Sequence, residues 1–206
     1  MNKMKLKLIA AALMALSTSA FAGTSDGPYV GIGIGFYNAG LKDSFPGGSE
    51  TFGSTSVDTS GNIFAGYNWN LGAGSVALEA SYNSNVGKLD SFNGNDVFKL
   101  DNSWQISVLP GYNFSKDTEG YVRLGWTQAK GTWGSAFIPV IANTTHTFNG
   151  GVFGLGVDQA VTPNLALRLE WQYLYLSSST ISYSGFGSLD WSPRSTGVDF
   201  SLRYAF

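Results

Sequence analysis

Seven ionisable side chains sit at alternate positions of short apolar stretches: Glu79, Arg123, Asp158, Arg168, Glu170, Asp199 and Arg203. On a strand, alternate residues share one face, so these charges keep company with Gly, Ala, Ser and Gln while Leu, Val, Phe and Trp occupy the opposite face. The chemistry open to them is ion pairing. If their common face lines a narrow tube, pairing is obligatory, because an unpartnered buried charge is very costly. Counting residues from the short turns places Glu79, Arg123, Asp158, Arg168 and Arg203 in one thin layer, with Glu170 and Asp199 in the next. We expect a paired cluster of Glu79, Arg123, Asp158, Arg168, Glu170 and Arg203. It serves either as a structural plug or as a gate whose partner exchange opens a path for water and ions.

Other candidate chemistry is thinner. His146, the single histidine, is flanked by Thr144, Thr145 and Thr147, but no acid stands at a spacing that would complete a hydrolase constellation. Gly31-x-Gly33-x-Gly35 has the look of a nucleotide loop, yet it lies inside a strand and opens no helix, which points to close packing instead. No metal-ligand spacing is present, and cysteine is absent. The sequence therefore predicts no catalytic, cofactor-binding or metal-binding residues and no cofactor.

The elements that position the charges come from a period of two. Ser195–Phe206 alternates Thr196, Val198, Phe200, Leu202, Tyr204 and Phe206 with Ser195, Gly197, Asp199, Ser201, Arg203 and Ala205. The same two-faced pattern recurs at 29–37, 62–69, 75–83, 103–114, 121–127, 152–158 and 165–175, which makes eight strands. Phe64 interrupts the small-residue face of the second, and Pro110 within the fourth calls for a bulge or a place near a rim. Four long polar loops alternate with three short turns. The third loop carries an apolar patch, Phe137–Ile141, suited either to packing on the rim or to contact with a ligand.

The fold expected is all-β: an eight-stranded antiparallel up-and-down transmembrane β-barrel with four long extracellular loops and three short periplasmic turns. Volume decides which face points inward. Eight strands leave an interior just wide enough for side chains, and the Trp, Tyr, Phe and Leu of the apolar set would overfill it, so they must face lipid. Aromatics near strand ends (Tyr29, Tyr37, Trp69, Tyr82, Tyr112, Trp126, Tyr173, Tyr175 and Tyr204) are expected to form interfacial girdles.

The first 22 of 206 residues read as a cleaved secretory signal: Lys3, Lys5 and Lys7, an apolar run from Leu8 to Leu16, then Ala20-Phe-Ala22. The barrel domain is then 23–206, with nine basic and fourteen acidic residues, a net charge of −5. Nothing in it resembles the basic stripe that nucleic acid demands.

Phe64-Ala-Gly-Tyr-Asn68, Leu78-Glu79, Gly154-Leu-Gly-Val-Asp158, Leu167-Arg-Leu-Glu-Trp171 and Tyr204-Ala-Phe206 together resemble the outer membrane protein A-like eight-stranded barrels, over Gly23 to Phe206. The resemblance implies ionic pairs inside the barrel at Glu79, Arg123, Asp158 and Arg168. It also implies that Tyr204 and Phe206 form the C-terminal signal read by the outer-membrane assembly machinery. The chain ends on its eighth strand, so the peptidoglycan-binding domain of longer members is not carried over. The expected partners are outer-membrane lipids, lipopolysaccharide and an extracellular ligand at loops such as Ala39–Val57 or Gly131–Thr147. The expected role is structural or surface-interacting and non-enzymatic, in a Gram-negative outer membrane. A narrow solute channel is the alternative, and a lipid-modifying enzyme a more distant one.

Overall fold

A computed structural model describes residues 26–45, 48–53, 57–90, 96–134, 145–183 and 187–206. Eleven strands make one antiparallel sheet: β1 (Gly27–Phe45), β2 (Gly48–Gly53), β3 (Asp58–Asn70), β4 (Gly74–Asn83), β5 (Gly87–Asp90), β6 (Asp96–Asn113), β7 (Thr118–Trp133), β8 (Thr145–Ala160), β9 (Leu165–Leu176), β10 (Ser179–Tyr183) and β11 (Gly187–Ala205). Eight of them, β1, β3, β4, β6, β7, β8, β9 and β11, pair in sequence order, and β11 closes on β1. The short β2 and β10 pair with β1 and β11 beyond the ends of β3 and β9, and β5 pairs with β6 beyond the end of β4.

The register fixes the shape. Following partners from Tyr29 leads through Gly66, Glu79, Ser107, Gly125, Val152, Leu174 and Ser195 to Ala39, ten residues further along β1. A ten-residue shear over eight strands, with a rise of about 3.3 Å and a strand spacing of about 4.8 Å, tilts the strands by about 40°. On β9 the outward run Leu165–Tyr175 then covers about 25 Å along the axis, the height of an outer-membrane apolar band. Val30, Ile32, Ile34, Trp104, Ile106, Leu124, Leu155, Phe200 and Leu202 are all exposed on this wall, and Arg168 and Glu79 are buried inside.

The interior demands small residues where larger ones lean across it. A Cβ at Gly31 would overlap the ring of Phe64, and one at Gly197 would overlap Tyr37. The glycine alternation of β1 is thus lumen packing, and Phe64 is the bulky side chain it accommodates. Pro110 sits on the outer face three residues from the end of β6. It pairs with Val76, and the register with β7 is the same on both sides of it, so no bulge is needed.

Two expectations are corrected. Tyr29 and Tyr37 are not girdle residues; both are essentially fully buried in the lumen, as their parity with Gly31 and Gly35 requires. The stretches read as long loops are largely strand. β1 runs on to Phe45, β7 to Trp133 and β11 starts at Gly187, so Ala39 belongs to the core and a loop starting there would cut into it. The proposed signal segment and Phe137–Ile141 lie outside the described residues.

Above the lipid band the two faces exchange character. On β7, Val122, Leu124 and Trp126 face out, whereas higher up it is Ala129 and Trp133 that are buried within while Gln128 and Lys130 face outward. Phe98, Leu100, Phe148, Leu174 and Leu176 belong to the same inner apolar cluster. The cause is the surrounding medium: lipid outside favours apolar side chains there, and water outside favours burying them within. On β6 a bulge between Leu100 and Asn102 makes the switch. The segment after β4 helps to shut the mouth. Val86 is buried, its N–H bonds to the carbonyl of Leu100 at 3.0 Å, and the hydroxyl of Ser195, across the barrel on β11, donates to its carbonyl. Gly87 follows with φ +117°, tight against the backbone of Ala39.

Lumen packing predicts that Gly31→Ala lowers unfolding free energy by about 1–3 kcal/mol through overpacking against Phe64. Gly61→Ala, where a Cβ meets only the Ser84 hydroxyl at 3.5 Å, stays within about 0.5 kcal/mol. Urea unfolding in lipid vesicles, followed by the gel shift of the folded barrel, checks both.

Candidate functional site

The lower lumen is crossed by a continuous line of charge. Its order is Glu170, Arg123, Glu79, Arg168, Asp158, Arg203, with five ion pairs between successive members. Arg123 reaches Glu170 at 2.5 Å and Glu79 at 2.5 Å; Arg168 reaches Glu79 at 2.6 Å and Asp158 at 2.8 Å; Arg203 reaches Asp158 at 3.1 Å. The six side chains come from β4, β7, β8, β9 and β11. Each stands on the inward parity of its strand, and register brings them level: Asp158 lies directly opposite Arg168 and Asp199 opposite Glu170.

Geometry makes the pairs strong. Arg168 grips Asp158 with a two-pronged contact, Nε to Oδ1 at 2.8 Å and Nη2 to Oδ2 at 2.9 Å, while its Nη1 donates to Glu79. Such fork-to-carboxylate contacts fix orientation as well as charge. Three guanidiniums face three carboxylates, so the line is neutral as a whole. None of the four residues Glu79, Glu170, Arg123 and Arg168 has more than a few per cent of its side chain exposed.

Aromatic groups complete the layer, and the sequence reading passed over them. The Tyr29 hydroxyl donates to Glu79 at 2.9 Å, and that of Tyr121 donates to Glu170. The Arg168 guanidinium lies 4.6 Å from the Phe64 ring centroid and 4.9 Å from that of Tyr121, and Arg203 lies 4.1 Å from that of Tyr29. These cation–π contacts further offset desolvation of the arginines. The available signal was parity: Tyr121 alternates with Arg123, and Phe64 falls on the small-residue face of β3.

Asp199 stands outside the line. Its carboxylate accepts from Tyr37 at 2.5 Å, Asn62 at 2.7 Å and Gln172 at 3.2 Å, so hydrogen bonds rather than a cation satisfy it. Gln105 extends this polar layer to Gln172 at 3.2 Å. Two internal voids of about 10 Å³ each flank the ionic line, space for one water at most. The buried apolar cluster lies above this polar layer.

The remaining candidates lie apart. His146 is on β8, not in a loop; it faces Gly131 and is exposed at the extracellular end. Tyr204 and Phe206 are exposed on the outer wall near the periplasmic edge, their rings 5.3 Å apart. Among the described residues no three His, Asp or Glu side chains are placed to hold a metal ion.

The sequence matches the family described as outer membrane protein beta-barrel domain over residues 8–206. None of the curated proteins matches it. Among solved structures, the chain is similar to Neisserial surface protein A at 20% identity and a TM-score of 0.49, covering 85% of this chain and 97% of that one. It is similar to OprG of Pseudomonas aeruginosa at 12% identity and a TM-score of 0.49, covering 91% and 100%. The attachment invasion locus protein Ail of Yersinia pestis, in complex with the heparin analogue sucrose octasulfate, is 12% identical with a TM-score of 0.46, covering 85% and 99%.

Arg168→Ala leaves Glu79 and Asp158 buried with half their partners gone and is expected to cost about 3–5 kcal/mol. Arg194→Ala, which removes a partly buried guanidinium 5.7 Å from the Tyr175 ring centroid and outside the ionic line, costs under about 1 kcal/mol. Equilibrium unfolding of the two variants beside wild type checks the contrast.

Proposed function

Since the chain belongs to the outer membrane protein β-barrel family, and hence to the Gram-negative outer membrane, we propose that it is a closed barrel with a structural and surface-interaction role. The observation that carries this reading is the neutral line of six charges joined by five ion pairs across the lumen. A conducting pore needs a continuous wet path. Here the ionic line and the apolar cluster of Leu100, Phe148, Leu174 and Leu176 each interrupt it.

The same reading assigns residues 1–22 to an export signal removed on the way out, and Tyr204 and Phe206 to recognition by the assembly machinery. Its support is the position of Phe206 at the open end of the wall, where a docking partner can reach it. Outer-membrane lipids and lipopolysaccharide are its expected surroundings, supported by the apolar belt and by Lys130 and Arg194 facing out above it. A surface ligand would meet the extracellular ends of the strands. A non-enzymatic role is supported by His146, which is flanked along β8 by Thr145 and Thr147 and faces Gly131 across the pair.

Planar-bilayer recording tests the closed state. Wild type is expected to show no steady conductance, and Arg168→Ala none either, because the upper apolar cluster remains shut when the ionic line is broken. A stable open level in wild type, matched by swelling of sugar-loaded liposomes, would replace this reading with that of a narrow channel.

A further inference from the structure

The lipid-facing wall is not uniformly bulky. Among its outward residues within the band, Ala65 and Ala80 are small and stand directly opposite each other on β3 and β4. They floor a recess of about 250 Å³ bounded by Ile63, Tyr82 and Trp104. Tyr82 and Trp104 are cross-strand partners with ring centroids 4.7 Å apart, tilted at 53°, and make the upper lip of the recess. By register the recess runs from the middle of the band towards its extracellular side, within reach of a chain from the outer leaflet.

Higher on the same staves, beyond the aromatic lip, two lysines are cross-strand partners. Lys88 on β5 and Lys99 on β6 are direct partners, and both alternate with buried neighbours, Leu89 on one strand and Phe98 and Leu100 on the other. Both therefore lie on the outer face at the headgroup level. Asp101 lies 3.2 Å from Lys99. Two lysines on one outward face at this height suit an anionic headgroup.

We propose that this wall, β3–β4–β6 with β5 above it, holds one molecule of the phosphorylated, acylated glycolipid that anchors lipopolysaccharide. A phosphate sits against Lys88 and Lys99, and one saturated chain drops past Trp104 into the Ala65–Ala80 recess. The recess is continuous with the lipid-facing belt, and its five outward side chains are far fewer than the 20–30 residues a side that a stable protein interface uses. The inference rests on the outer-membrane placement but not on the lumen being closed.

Native mass spectrometry of the full barrel, released from detergent after incubation with purified lipid A or with phosphatidylglycerol, tests it. Wild type should retain one lipid A. Lys88→Ser/Lys99→Ser should reduce that species at least tenfold through the headgroup, and Ala65→Leu/Ala80→Leu should do so by filling the recess. Trp104→Ala, which removes the upper lip and its contact with Tyr82, should weaken retention in a barrel that still folds. Unchanged retention in these variants, equal retention of phosphatidylglycerol, or a wild-type dimer lost on filling the recess would each overturn the proposal. Heat-modifiable gel migration confirms that every variant compared is folded.

Discussion

A peptide group in hydrocarbon has no water to bond with, and leaving it unpaired costs several kcal/mol. That constraint makes the sheet close, β11 onto β1, and most other features follow from closure. Eight strands with a ten-residue shear leave a lumen that a few side chains fill. Phe64, Tyr29, Tyr121 and three arginines occupy it, and glycines at positions such as 31, 156 and 197 make room for the aromatic rings. Bulky residues have nowhere to go but outward, which is also where lipid rewards them.

The ionic line is best understood as the filling of that tube. Buried pairs often contribute little compared with apolar residues of the same volume, so the charges need not be the main source of stability. They do make the arrangement particular. Arg168 satisfies Asp158 and Glu79 at once only if β4, β8 and β9 hold their observed register. A one-residue slip would turn every charge on the slipped strand towards lipid, where an arginine near the bilayer midplane costs about 2–4 kcal/mol. Register specification is therefore a stronger role for these residues than net stabilisation.

Much of this was readable from the chain because a period of two is unambiguous wherever lipid lies outside. Volume alone then oriented the faces, and counting from the short turns brought five of the six charges to one height and Glu170 to the next. Tyr29 and Tyr37 were misplaced by appealing to the fondness of tyrosine for interfaces instead of to their parity. The upper strands escaped notice for a deeper reason. Once the wall leaves the membrane, Ala129 and Trp133 replace Val122, Leu124 and Trp126 as the apolar set of β7, so the alternation that marks a strand breaks at the boundary. On β6 the bulge at Asp101 reverses the faces, so Phe98 and Leu100 point inward while Trp104 and Ile106, also even-numbered, point outward. Cross-strand aromatic partners of the arginines, and the inward crossing of Val86, depend on three-dimensional register that no local pattern encodes.

The exchange of faces along one stave is the point at which the account is most exposed. The chain lacks cysteine, so single spin labels can be placed at every position from 121 to 133 of β7 in a lipid vesicle, and their collisions with oxygen and with a water-soluble relaxant measured. Oxygen accessibility should peak at 122, 124 and 126. The water-soluble agent should take over at 128, 130 and 132, and odd positions should be shielded from both. Oxygen peaks at 121, 123 and 125, or lipid exposure continuing unchanged through 132, would contradict the account.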